Sequence, residues 1–129
     1  KVVTGGSVTL ESPGAVVHIG LPIYAEFETL DININGQETL LDKKQVVPTV
    51  TMIVNASRGI WATTPGGTWY EYPQREDEFY DDPVSDATGK IEVNLDSNWN
   101  KNGRVKVRQT DPLPLSVLAV LPRLTVGGF

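Results

Sequence analysis

Hydrophobic and polar positions alternate with period two along most of this chain, and no long stripe follows the 3.6-residue period of an amphipathic helix. In residues 7–11, Val8 and Leu10 fall on one face and Thr9 and Glu11 on the other. Ser12-Pro13-Gly14 marks a turn. Ala15, Val17, Ile19 and Leu21 then alternate with Val16, His18 and Gly20, and Pro22 interrupts. Ile23, Ala25 and Phe27 resume opposite Tyr24, Glu26 and Glu28, and Ile32 and Ile34 alternate with Asp31, Asn33 and Asn35 before Gly36. Each of these runs reads as a half-buried strand.

The same pattern continues through the middle of the chain. Residues 39–45 are the one place where a short helix could fit, but the β-branched run over 46–54 favours a strand there. Pro48 places that end near a sheet edge or a strand start. Residues 55–59 should turn the chain, residues 60–64 should form a short strand, and Pro65-Gly66-Gly67 should turn it again before Trp69, Tyr70 and Tyr72. Residues 74–88 hold Glu76, Asp77, Glu78, Asp81, Asp82 and Asp86 and predict a long acidic loop. Regular structure is expected again from Lys90, where Ile91, Val93 and Leu95 alternate with polar residues. Asn102-Gly103 is the strongest hairpin signal, because both residues tolerate positive φ. Arg104, Lys106 and Arg108 then face away from Val105 and Val107.

The segment Asp111-Pro112-Leu113-Pro114-Leu115 breaks the alternation. Its prolines remove two amide donors and fix two φ angles, and they push Asp111 and Leu113 towards extended conformations. The apolar run that follows is too short to cross a bilayer and is closed by Pro122. This predicts a strand, a rigid crossing, then a deeply buried strand. Leu124 and Val126 form a last apolar pair before Gly127-Gly128. Many short strands with Gly, Pro and Asn punctuation predict an all-β fold, an antiparallel β-sandwich or barrel-like domain.

At 129 residues the chain is expected to form a single β domain, residues 1–129, with enough length for a real core. It has no cysteine, which excludes a disulfide framework and a thiolate zinc site and favours an intracellular or assembly setting. The first residues, from Lys1, show no charged-then-apolar leader, and the chain is expected to be a piece of a longer protein. A net charge of −5 argues against free binding to nucleic acid and suits a surface that stands beside DNA without adhering to it.

Candidate chemistry is sparse. His18 is the only histidine, so no histidine cluster can bind a metal, and in an alternating strand it reads as structural. Ser7 and Ser57 lack the G-x-S-x-G elbow of an activated nucleophile. The acidic loop lacks the ligand spacing and turning glycine of a calcium loop, and reads as solvated. Asn55-Ala56-Ser57 matches the short glycosylation sequon. Trp61, Trp69, Tyr70 and Tyr72 could form a stacking platform for a carbohydrate-binding module, although strand aromatics more commonly pack across strands. Lys101, Arg104, Lys106 and Arg108 form a basic stripe that could touch phosphate or an acidic neighbour, although the polar side of a half-buried strand accounts for it more readily. No catalytic residue, metal site or cofactor is expected.

An ordered set of motifs adds a resemblance. It comprises Val16-Val17-His18-Ile19-Gly20-Leu21-Pro22, Glu28-Thr29-Leu30-Asp31-Ile32, Asn55-Ala56-Ser57-Arg58-Gly59 and Gly89-Lys90-Ile91-Glu92-Val93. Trp99 follows, with Gly103-Arg104-Val105-Lys106-Val107-Arg108-Gln109 and then Asp111-Pro112-Leu113-Pro114-Leu115-Ser116-Val117-Leu118-Ala119. In this order the chain resembles the C-terminal portion of the tail nozzle proteins of short-tailed bacteriophages, also called tail tubular protein B or phage stabilisation proteins. Residues 63–86 fall outside the resemblance.

The resemblance implies a structural virion protein of a phage or prophage. Copies of the full-length protein would form a ring below the portal adaptor, contacting adaptor and tail-fibre proteins. DNA would pass outwards through the ring without sequence-specific binding, and no membrane, enzyme activity or cofactor is implied. The location would be the phage tail, with the host cytoplasm before assembly. The family-motif positions of structural interest are Gly20, Leu21, Pro22, Leu30, Asp31, Ser57, Arg58, Gly59, Asp111, Pro112, Leu113, Pro114 and Leu115.

Overall fold

A computed structural model describes residues 1–33, 39–75, 78–79 and 82–127. Seven strands and no helix are found among the described residues: β1 (Ala25–Glu28), β2 (Lys44–Ser57), β3 (Trp61–Thr63), β4 (Tyr70–Glu71), β5 (Ala87–Asn94), β6 (Lys106–Gln109) and β7 (Val117–Gly127). They form two antiparallel sheets, ordered β1-β6-β3-β4 and β5-β2-β7. The expected all-β sandwich is therefore the fold.

The core lies between the sheets. Val47, Val50, Met52, Val54, Ile91 and Val93 from the three-stranded sheet meet Ile60, Ala62, Val105 and Val107 from the other side. Alternation produces this directly: in β2, Val50, Met52 and Val54 are buried while Thr51 and Ile53 are only half-buried. In β6, Val107 and Gln109 point inwards and Lys106 and Arg108 outwards. The sequence of strands sends the chain repeatedly from one sheet to the other, and only β3 and β4 are consecutive neighbours in one sheet.

Several expectations are corrected. Residues 7–11 and 15–21 alternate but form no strand; the one backbone pairing there is an isolated bridge between Thr4 and Ser7. Ile32 is also outside any strand, and Ile34 lies outside the described residues. Pro48 sits in β2, the central strand of its sheet rather than an edge. It is accommodated because the β2–β7 register shifts between Val46 and Thr49, and a bulge needs no amide donor from it. Residues 55–57 belong to β2 rather than to a turn, with a register shift against β5 between Val54 and Ser57, where Ala56 has φ 43°.

Asn102-Gly103 turns the chain but makes no hairpin, because β5 and β6 belong to different sheets. The Asn100 side chain accepts hydrogen bonds from the amides of Asn102 (2.8 Å) and Gly103 (2.9 Å), and Gly103 has φ 58°. β7 does not stop at Pro122 but runs through it to Gly127. As an edge strand it tolerates the missing amide. For the same reason it is half-buried rather than deeply buried, with Leu118 and Leu121 exposed.

The acidic loop is shorter than expected, since β5 begins at Ala87. Glu76, Asp77 and Asp81 lie outside the described residues. Arg75 organises the rest by donating to the carbonyls of Phe79 (2.8 Å) and Asp82 (3.2 Å).

Candidate functional site

The motif blocks, distant in sequence, meet in two clusters. The first is built around the rigid crossing from β6 to β7. Leu113 N donates to Asp111 O at 2.8 Å, closing a three-residue turn centred on Pro112, whose fixed φ suits it. Pro114 O accepts from Arg58 N at 2.9 Å, and the buried Gln109 side chain donates to Arg58 O at 2.7 Å. Gly59, at φ 64°, lies against Leu113; a Cβ there would stand 3.1 Å from Leu113 Cδ1.

Ser57 fastens the crossing to β2. Its fully buried hydroxyl donates to Asn55 O (2.9 Å) or Ser116 O (3.3 Å) and accepts from Ser116 N (2.8 Å). The hydroxyl of the sequon is thus committed to the β2 bulge and the start of β7. From outside, the N-terminal residues reach this cluster at two points. Arg58 Nη1 donates to His18 Nε2 at 3.0 Å, and Gly20 packs so closely on Pro112 that an added Cβ would lie 2.6 Å from its Cβ. His18 is therefore a partner of Arg58, and Arg58 also stands 3.9 Å from the Asp86 carboxylate.

The second cluster ties the segment after β1 to the start of β6. Thr29 N donates to Val105 O and Val105 N to Thr29 Oγ1, both at 2.9 Å. Arg104 pairs with Asp31 through Nε and with Glu28 through Nη1 at 3.2 Å. These two carboxylates, Asp31 first, raise the already high pKa of the Arg104 guanidinium. Leu30 itself is exposed, as are Leu21, Pro22 and Asp111. Leu115 packs against the core.

Between the clusters, the outer face of the four-stranded sheet carries the basic stripe. Lys106 pairs with Glu26 at 3.2 Å, and the Tyr24 hydroxyl donates to the same carboxylate. The Tyr24 hydrogen bond, then Lys106, hold the Glu26 carboxyl below its ordinary range, and Glu26 in turn raises the Tyr24 phenol. The Arg108 guanidinium lies over both Trp69 (4.1 Å to the ring centre) and Trp61 (5.5 Å). Trp61 and Trp69 are neither buried in the core nor free, because Arg108 occupies the space over their rings. Tyr70 is in register with the buried Ala62, and Tyr72 packs against the core, so the four aromatics are not assembled into one flat platform.

Sequence reasoning missed two features, one on this face and one in the other sheet. Glu26 and Tyr24 carried no motif, although their register opposite the basic stripe follows once β1 is paired with β6. Gln45, fully buried, donates to Leu40 O at 2.7 Å; its place amid apolar β2 neighbours was the available signal. Among the described residues, no three His, Cys, Asp or Glu side chains are gathered as they would be to hold a metal ion. No protein-family model and no curated protein sequence matches this chain.

Proposed function

We propose that this chain is a structural domain of a phage or prophage tail nozzle, one of several copies that form and close the DNA-ejection channel below the portal adaptor. The observation that carries the reading is the convergence of the ordered motif blocks. Residues 16–22, 55–59 and 109–116 meet at the β6–β7 crossing, and residues 28–32 meet 102–105. Their interactions are hydrogen bonds, ion pairs and close packing that brace loops, with no positioned nucleophile–base pair among them. A set of residues that only braces a fold fits a protein whose task is to hold shape under load.

The net charge of −5 suits a conduit past which DNA must slide. In this role the protein works with other copies of itself, adaptor and tail-fibre proteins, and needs neither cofactor nor catalytic group. Cryo-microscopy and mass spectrometry of the parent particle test the proposal. Density for this β-sandwich in a ring beneath the portal is the expected result. Particles whose tails lack the chain would sink it.

A further inference from the structure

An asparagine followed by glycine readily loses its side-chain amide without an enzyme, because glycine has no Cβ to keep its backbone nitrogen away from the preceding side chain. The chain holds this dipeptide twice. Asn35-Gly36 lies outside the described residues, and Asn102-Gly103 forms the turn from one sheet to the other. In the reaction the Gly103 nitrogen attacks Asn102 Cγ. The new N–C bond closes a five-membered imide, and the side-chain nitrogen leaves as ammonia with the former Gly103 amide proton. Water then opens the imide at one carbonyl or the other, giving aspartate or isoaspartate. Isoaspartate routes the main chain through the side chain and adds a methylene to it.

The first step needs a Gly103 nitrogen that is free to turn towards Asn102 Cγ. In the fold it is not free. Gly103 N donates to Asn100 Oδ1 at 2.9 Å, and Asn102 N donates to the same oxygen at 2.8 Å. Asn100 is itself fixed, since its backbone exchanges two hydrogen bonds with Gln45 of β2 and its side-chain nitrogen donates to Asn98 O at 3.0 Å. On the far side of the turn, Asn102 O accepts from Ile32 N at 3.3 Å. Gly103 is buried at φ 58° and presses so closely on Gln45 that a Cβ there would overlap Gln45 Oε1. Asn102 is exposed, so water reaches it, and the restraint lies in backbone geometry rather than in shielding.

We propose that Asn102 is a modification site that the fold holds in check, with Asn100 as the residue that guards it. In the folded chain the Asn100 side-chain oxygen keeps the Gly103 nitrogen directed at itself. A turn held at Asn102 O, Asn102 N and Gly103 N has no slack for an added methylene. In the unfolded chain these restraints vanish and Asn102 deamidates as any Asn-Gly pair does. Conversion at residue 102 therefore records time spent unfolded. Isoaspartate there disturbs the turn beside the Arg104–Asp31 pair when the chain refolds. The inference stands independently of the nozzle reading, because it concerns the chain and not the particle.

The test incubates the protein at mildly alkaline pH, folded or in guanidinium chloride, and follows residue 102 by peptide mapping with mass spectrometry. Conversion is expected to be at least about tenfold slower in the folded wild type than in the unfolded chain. Folded Asn100→Ala lacks the acceptor and should convert about tenfold faster than folded wild type. Folded Asn100→Asp keeps an acceptor oxygen at the same reach while losing the bond to Asn98 O, and should stay within about threefold of wild type. Circular dichroism checks that each variant is folded.

Equal rates in the folded and unfolded wild type overturn the proposal. So does a folded Asn100→Ala protein that converts no faster than wild type, or an Asn100→Asp protein that converts as fast as Asn100→Ala. If Asn100→Ala does not fold, amide hydrogen exchange of the wild type decides. The Gly103 amide should then exchange at least about tenfold more slowly than that of an unstructured glycine, and free exchange overturns the guarding role.

Discussion

Residues 15–21 and strand β5 both carry a period-two signature, yet only β5 is a strand. β5 has the open side of β2 to pair with over most of its length, and its Ile91 and Val93 reach the core. Among the described residues none forms a ladder with residues 15–21, and Val17, Ile19 and Leu21 stay exposed. A strand's backbone groups must be satisfied by another strand, so the alternating pattern records a capacity to pair rather than a pairing. The N-terminal arm, residues 1–24, lies outside both sheets, whereas the sandwich strands are paired.

The sharpest way to break that comparison is to truncate one apolar residue on each side of it. Met52→Ala in the core should cost about 2–5 kcal/mol, while Ile19→Ala in the arm should stay within about 0.5 kcal/mol. Urea denaturation of the monomer measures both. Equal losses would mean that the arm is already part of the cooperative unit.

The next effect concerns what fastens the crossing. Ser57→Ala removes a buried hydroxyl that serves the bulge and Ser116 N, and should cost about 1–3 kcal/mol by the same measurement. If the loss is near zero, the crossing is held by its prolines and by the Arg58 N–Pro114 O hydrogen bond rather than by Ser57. Smaller still, and of opposite sign, is Ala56→Gly. Ala56 sits at φ 43°, where an L side chain costs about 1–2 kcal/mol, and glycine returns part of that as unfolded-state entropy. A net gain of about 0.5 kcal/mol is expected in the thermal midpoint analysis.

The smallest effect lies where the arm becomes β1. The Glu26 carboxyl is held below its ordinary range by Tyr24 and then by Lys106, so its contribution is present above the unfolded pKa and fades as pH falls through the folded one. The Tyr24 phenol is raised by Glu26, so its contribution is present below the unfolded pKa and fades as pH rises through the folded one. Both groups are exposed, and the change is slight. Glu26→Gln should flatten both ends of the stability–pH curve; an unchanged curve would show that the pair does not form in solution.

Much of the fold was legible in the sequence. The all-β class, the inward sets Val50-Met52-Val54 and Val105-Val107, the basic stripe facing outwards and the proline crossing between strands all follow from local rules. Those rules depend on side-chain period and on φ, which each residue carries with it. Of the candidate site, the residue types were legible but their meeting was not: nothing in the spacing of His18, Arg58 and Pro114 places them together.

Tertiary structure alone decided the rest, because it turns on which backbone groups find partners. It made Asn102-Gly103 a turn between sheets rather than a hairpin, and it placed Pro48 in a central strand by way of a bulge. It carried β7 through Pro122 along an edge, and it left residues 15–21 outside both sheets. A sequence states what each segment can do on one face; only the packed chain states which segments find a partner.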